Sequence, residues 1–193
     1  MRSHNFAGLR RASVLTGLLL AAACSSDSVS APILTPAPAN LAKVIDPLIA
    51  GEIQVKTGGR LGRLKDDVEA IAFIGPQGGV LRIPELGFEL VVPKGAVSNT
   101  MKFRVTALAG GTLAYEFEPH GAKFNVPLTF RQDARYTRVG RGQVVGGGYF
   151  TDRTRFNQNG KLAAVAETIP GRWSDNWIEF DIWHFSGYLV SCG

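Results

Sequence analysis

Residues 78–97 read GGVLRIPELGFELVVPKGAV, and the punctuation of this stretch decides the fold class. Two apolar runs, Val80 to Ile83 and Phe88 to Val92, are each only a few residues long, with Pro84 and Gly87 between them. In the second run Phe88, Leu90 and Val92 share one face at the period of two that a pleated strand imposes, and that face is expected to be core. Pro93 lacks an N–H and ends pairing, while Gly95 permits a backbone geometry that other residues avoid. Two short strands with turn chemistry around them are the unit.

The unit recurs along the chain. Upstream, Ala70 to Ile74 closes on Gly75-Pro76-Gln77-Gly78-Gly79. Downstream, Met101 to Leu108 places Met101, Phe103, Val105 and Ala107 on one face, and Gly110-Gly111 turns the chain into Leu113 to Phe117. Phe124 to Arg131 is expected to point Phe124, Val126 and Leu128 one way. Gly148 to Thr151, Leu162 to Ala166, Trp177 to Ile182 and Phe185 to Val190 complete the set. Short strands at near-regular spacing, with no long helical period, predict an all-β antiparallel β-sandwich over residues 68–193. Gly146-Gly147-Gly148 is read as a turn.

The N-terminus has a different texture. Arg2, Arg10 and Arg11 precede an apolar run from Val14 to Ala23, with no acidic residue. That run is far shorter than the ~20 residues needed to cross a bilayer. Ala21-Ala22-Ala23 then offers a small-residue cleavage site. Leu20-Ala21-Ala22-Ala23-Cys24 resembles the lipobox of bacterial lipoproteins, with Ala21 where the family more often carries Leu. The resemblance implies a signal peptide over residues 1–23 and a diacylglycerol thioether on Cys24. Ser25 and Ser26, with no acidic neighbour, resemble the outer-membrane sorting pattern of such lipoproteins. Residues 24–67 are read as the lipidated cysteine and a flexible linker. Its start, SSDSVSAPILTPAPAN, is rich in Ser, Pro and Ala. Leu41 to Ile49 is expected to form a short helix cut off by Pro47 and Gly51, and Gly58 to Asp67 to be loop.

Charge follows the same division. The whole chain carries 21 Lys and Arg against 16 Asp and Glu. Removing the three arginines of residues 1–23 leaves 18 − 16 = +2. No basic cluster interleaved with aromatics follows, so no nucleic-acid partner is expected. With Cys24 assigned to lipid, Cys192 has no partner within the chain, which excludes a disulfide framework. Metal and cofactor fingerprints are lacking as well, so neither a metal nor a cofactor is expected.

Taken together, Gly78-Gly79-Val80-Leu81, Gly87 to Val97, Glu118-Pro119-His120-Gly121-Ala122-Lys123-Phe124 and Pro127-Leu128 resemble the ZU5 domain. This β-sandwich module occurs in ankyrins, netrin receptors and death-domain scaffold proteins, and in ZU5-like form in bacterial surface proteins. The resemblance covers Gly78 to Arg131 and extends more loosely to the C-terminus through His184-Phe185-Ser186. Some domains of this kind cut their own backbone at a His-Phe-Ser sequence. By that resemblance Ser186 would attack the Phe185 carbonyl, with His184 as base. In a regular strand, however, residues two apart stand about 6.7 Å from one another. That is beyond the ~3 Å contact a general base requires. The other reading makes His184 and Ser186 strand-edge polar groups around a core Phe185. His120, between Pro119 and Gly121, is read as a turn residue.

Trp173, Trp177 and Trp183 are weighed as a binding platform. Ile178, Phe180 and Ile182 claim the core face of their strand, which turns Trp177, Glu179 and Asp181 outward. An outward Trp177, with Trp183, could stack on a sugar or a partner protein. The expectation is a lipid-anchored, non-catalytic envelope module that meets the membrane through Cys24 and binds an envelope protein or glycan. Self-cleavage at Phe185–Ser186 and glycan binding stand as its alternatives.

Overall fold

Fourteen strands carry the chain through residues 52–153 and 161–193, which are those described by the computed structural model. Residues 1–51 lie outside them, and so do the signal segment, Cys24 and the expected helix at Leu41 to Ile49. In chain order the strands are β1 (Ile53–Lys56), β2 (Gly59–Leu64), β3 (Val68–Ile74), β4 (Gly79–Ile83), β5 (Phe88–Val92), β6 (Met101–Ala107) and β7 (Gly110–Thr112). They continue as β8 (Ala114–Glu118), β9 (Lys123–Asp133), β10 (Val145–Phe150), β11 (Leu162–Val165), β12 (Glu167–Ser174), β13 (Trp177–His184) and β14 (Gly187–Cys192). Single 3₁₀ turns occupy Pro84–Leu86 and Ala134–Tyr136.

The all-β antiparallel fold expected from the alternating runs is the fold observed. Ten strands hydrogen-bond in the order β3-β6-β8-β14-β10-β12-β13-β9-β5-β4, with two-stranded pairs β1-β11 and β2-β7 beside them. The ribbon folds over so that its end strands β3 and β4 pack side by side, nearly closing a barrel-like sandwich. The corner between its halves is in β12. Glu167 to Pro170 pair with β10, and Gly171 to Ser174 pair with β13. A strand that changes sheets needs a bend at the change, and Pro170-Gly171 stands there.

Between the halves lies an aromatic core. Phe130 stacks on Phe180 at 4.2 Å and Phe88 on Tyr115 at 4.5 Å, while Phe185 meets Phe103 edge-on at 5.1 Å. Phe88, Leu90 and Val92 are buried as their alternation requires, and so are Phe103, Val105 and Ala107. Gly95 holds φ = 81°, in the left-handed region, and donates its N–H to the Pro76 carbonyl.

Several expectations are corrected. Strand pairing begins at Ile53, not at Val68: β1 and β2 lie within the stretch read as linker, and Gly58 to Asp67 is mostly strand. The sequence GRLGRL has no apolar alternation, because the one inward side chain near its start is Arg60. Gly110 to Thr112 is a strand paired with β2, not only a turn. Gly146-Gly147-Gly148 is no turn either. It lies within β10 with β12 and β14 on either side, and a Cβ on Gly147 would stand 2.7 Å from the Phe180 ring. The absent side chains there are space for the core. Val126 is 39% exposed while Phe124 and Leu128 are buried, because the register of β9 against β13 shifts between Ile182 and His184.

Candidate functional site

His184, Phe185 and Ser186 do not lie in one strand. His184 ends β13, Gly187 begins β14, and the two residues between them carry the chain from one half of the sandwich to the other. Backbone hydrogen bonds pin this crossover. The Phe185 N–H donates to the Ala122 carbonyl at 2.8 Å, and the Phe185 carbonyl accepts from Gly121 N–H at 2.9 Å. The Ser186 carbonyl accepts from Phe117 N–H at 2.9 Å. The Glu118-to-Lys123 turn, which contains exposed His120, is thereby fastened to the tripeptide from the far end of the chain. Phe185 is 1% exposed, packed among Phe103, Phe117 and Phe124.

The hydroxyl and the imidazole of the tripeptide are engaged apart from each other. Ser186 Oγ donates to the Phe150 carbonyl at 3.4 Å. His184 faces Tyr149 edge-on at 5.0 Å and has Nδ1 3.2 Å from the Tyr188 hydroxyl. That hydroxyl donates its single proton to the His184 carbonyl at 2.8 Å. Its oxygen is then left to accept from Nδ1–H, the tautomer whose lone pair is on Nε2. Burial, with Tyr149 and Glu167 nearby, pushes the Tyr188 phenol well above its ordinary range, so it stays a donor.

The tryptophans separate. Trp173 is half-buried and donates Nε1–H to the Gln143 carbonyl at 2.9 Å. Trp177 is half-buried under the Arg131 guanidinium, whose carbon is 4.3 Å from the ring centroid. Arg131 belongs to a ladder of ion pairs on the outward face. It pairs with Glu89 at 3.0 Å and Glu179 at 2.8 Å; Arg82 also pairs with Glu89, and Arg172 with Glu179 and Asp181. Trp177 is thus occupied within its own sheet, whereas Trp183 is 57% exposed. The structure brings together the tripeptide and the His120 turn, but not the two outward tryptophans into one stacked platform.

Among the described residues Cys192 is a half-buried free thiol, raised above its usual range by burial against a smaller opposing effect of Lys56. No group of three or more His, Cys, Asp or Glu there could hold a metal ion, and no helix there is long and apolar enough to cross a membrane. No protein-family model matches the chain, and no curated protein matches it. One feature left no motif in the sequence: a cleft walled by Arg60, Arg63, Arg138 and Lys161. Arg60 and Arg63 both belong to β2, whereas Arg138 and Lys161 come from two other parts of the chain and join them only in the fold.

Proposed function

We propose that the chain is a lipid-anchored cell-envelope protein, held at the outer membrane through acylated Cys24, whose β domain is a non-catalytic ZU5-like interaction module. Its partners are the bilayer, through the acyl chains, and another envelope component, protein or glycan. Nucleic acid has no part in it. The anchor reading rests on the arginines, short apolar run and small residues before Cys24. More than one acyl chain makes such an anchor stable.

The observation supporting a non-catalytic module is the engagement of the tripeptide. The Ser186 hydroxyl is spent on the Phe150 carbonyl and His184 Nδ1 on Tyr188, while Phe185 is a core side chain. A serine needs a base on its own proton to become a nucleophile. Here the two groups serve as struts for the crossover.

Self-cleavage is the second reading, favoured by one contact: Gly121 N–H already polarises the carbonyl that would be attacked. In that reaction Ser186 Oγ adds to the Phe185 carbonyl carbon, and the C–N bond breaks to free the Ser186 amine. Water then hydrolyses the ester, leaving a Phe185 carboxylate. Because β14 is held between β8 and β10, the product would stay together when folded. The mass must therefore be read in denaturant. A single intact chain carrying acyl mass at Cys24 is expected, and Cys24→Ser is expected to move the protein out of the membrane fraction. A fragment beginning at Ser186, absent from Ser186→Ala, would establish the second reading. Membrane partitioning unchanged by Cys24→Ser would overturn the anchor.

A further inference from the structure

A cleft of about 440 Å³ lies between β2, β7 and the segments around Arg138 and Lys161. Its wall holds Arg60, Arg63, Arg138 and Lys161, and no Asp or Glu is among the described residues that line it. Arg60 and Arg138 in this wall differ from arginines elsewhere on the domain in their bonding partners. Arg82, Arg104, Arg131, Arg135, Arg153 and Arg172 each have a carboxylate oxygen at 2.6 to 3.6 Å.

Arg60 is the sharpest contrast, being 4% exposed. Its bonds go to neutral oxygens, the Tyr115 hydroxyl at 2.9 Å and the Ala114 carbonyl at 3.2 Å, and its Nε has no hydrogen-bond partner. A buried charge normally has a counter-charge beside it. Arg138 reaches the Leu61 carbonyl at 3.4 Å, again a neutral group. Gln143, also in the wall, accepts Gly140 N–H on Oε1 at 2.8 Å, which leaves its NH₂ as the donating end. Cations gathered around a concave, low-dielectric wall focus positive potential into the opening. Guanidinium forks match phosphoryl oxygens in geometry as well as charge.

We propose that this cleft binds a small phosphorylated anion. Arg60, Arg138 and Lys161 together suit a group with two or more negative charges better than a lone carboxylate, and the volume falls in the range of small-molecule sites, roughly 300–1,000 Å³. Phosphoryl chemistry has two sources at an envelope: a free phosphorylated molecule and a phospholipid headgroup. They differ in charge, since a free phosphomonoester or pyrophosphate carries more than a headgroup diester.

Isothermal titration of the full chain with inorganic pyrophosphate, and separately with glycerophosphoglycerol, tests the site and distinguishes the sources. Arg138→Gln/Lys161→Gln is the variant of choice, because both side chains are exposed rather than part of the core. Binding of either probe is expected to weaken at least about tenfold in the double variant and to weaken with added salt. Preference for pyrophosphate assigns a free ligand, and preference for the diester assigns a headgroup. Silence from both probes at about 10 mM, or binding that survives the double variant unchanged, overturns the proposal.

Discussion

The Tyr115 hydroxyl donates to Gln132 Oε1 at 2.5 Å in the interior of the sandwich, where both side chains are fully buried. The bond ties β8 to β9 across the core. Gln132 Nε2 in turn donates to the Leu86 and Gly87 carbonyls, and Arg60 donates to the Tyr115 oxygen. Removing one member leaves its neighbours unpaired without water to replace it. Tyr115→Phe and Gln132→Leu are each expected to lower stability by about 1–3 kcal/mol in urea unfolding. The double variant is expected to cost clearly less than the sum. Strict additivity would mean that the two side chains act independently.

Gly147 lies beneath the Phe180 ring, and its replacement tests whether the glycines of β10 make room for the core. Gly147→Val is expected to destabilise by about 1–3 kcal/mol through overpacking. Adding Phe180→Leu is expected to recover part of that loss in thermal unfolding. A tolerated Gly147→Val would return the run to the status of a loop.

Trp177 and Trp183 are expected to respond oppositely. Trp177→Ala and Arg131→Ala both break the stacked pair, and loss of Arg131 also strips Glu89 and Glu179 of a cation. A cost of about 1–2 kcal/mol is expected for each, with a red shift of Trp emission in Arg131→Ala. Trp183→Ala is expected to change stability by less than about 0.5 kcal/mol. If a glycan array reports binding, that variant is the one expected to abolish it.

Alkali probes two buried phenols. Burial raises Tyr115 against the opposing effect of Arg60, and it raises Tyr188 as well. A folded-state value above the unfolded one means the phenol ionises first in the unfolded chain. The stability linked to it is therefore intact below about pH 10 and declines as pH climbs from there towards the folded value. Urea midpoints are expected to fall across that window, less steeply in Tyr188→Phe. A flat midpoint would place these rings in solvent.

Legibility in the sequence followed side-chain alternation. Where apolar residues alternate, as in Phe88 to Val92 and Met101 to Ala107, strand and buried face were readable. Where a strand's inward groups are an arginine or a row of glycines, as in β2 and β10, the period of two has no apolar signature. β12 hid for a different reason: Pro170-Gly171, which reads as a stop, is its corner. The tripeptide was legible as letters, but the crossover that separates Ser186 from the His184 ring depends on contacts with Ala122, Phe150 and Tyr188. The cationic cleft had no local signal beyond Arg60 and Arg63 in β2, since Arg138 joins them by donating its N–H to the Gly59 carbonyl and Lys161 by accepting the Thr57 N–H on its own carbonyl.

Bringing β3 against β4 has a consequence for how many copies can share a small area. An open ten-strand ribbon would present an unsatisfied row of N–H and C=O groups at each side, a template on which a second copy could add itself and then a third. Here β3 and β4 lie beside each other without hydrogen-bonding, so neither end strand stands alone at the rim of an open sheet. A second copy adding itself to either end strand of the main sheet would therefore have to make room beside the other.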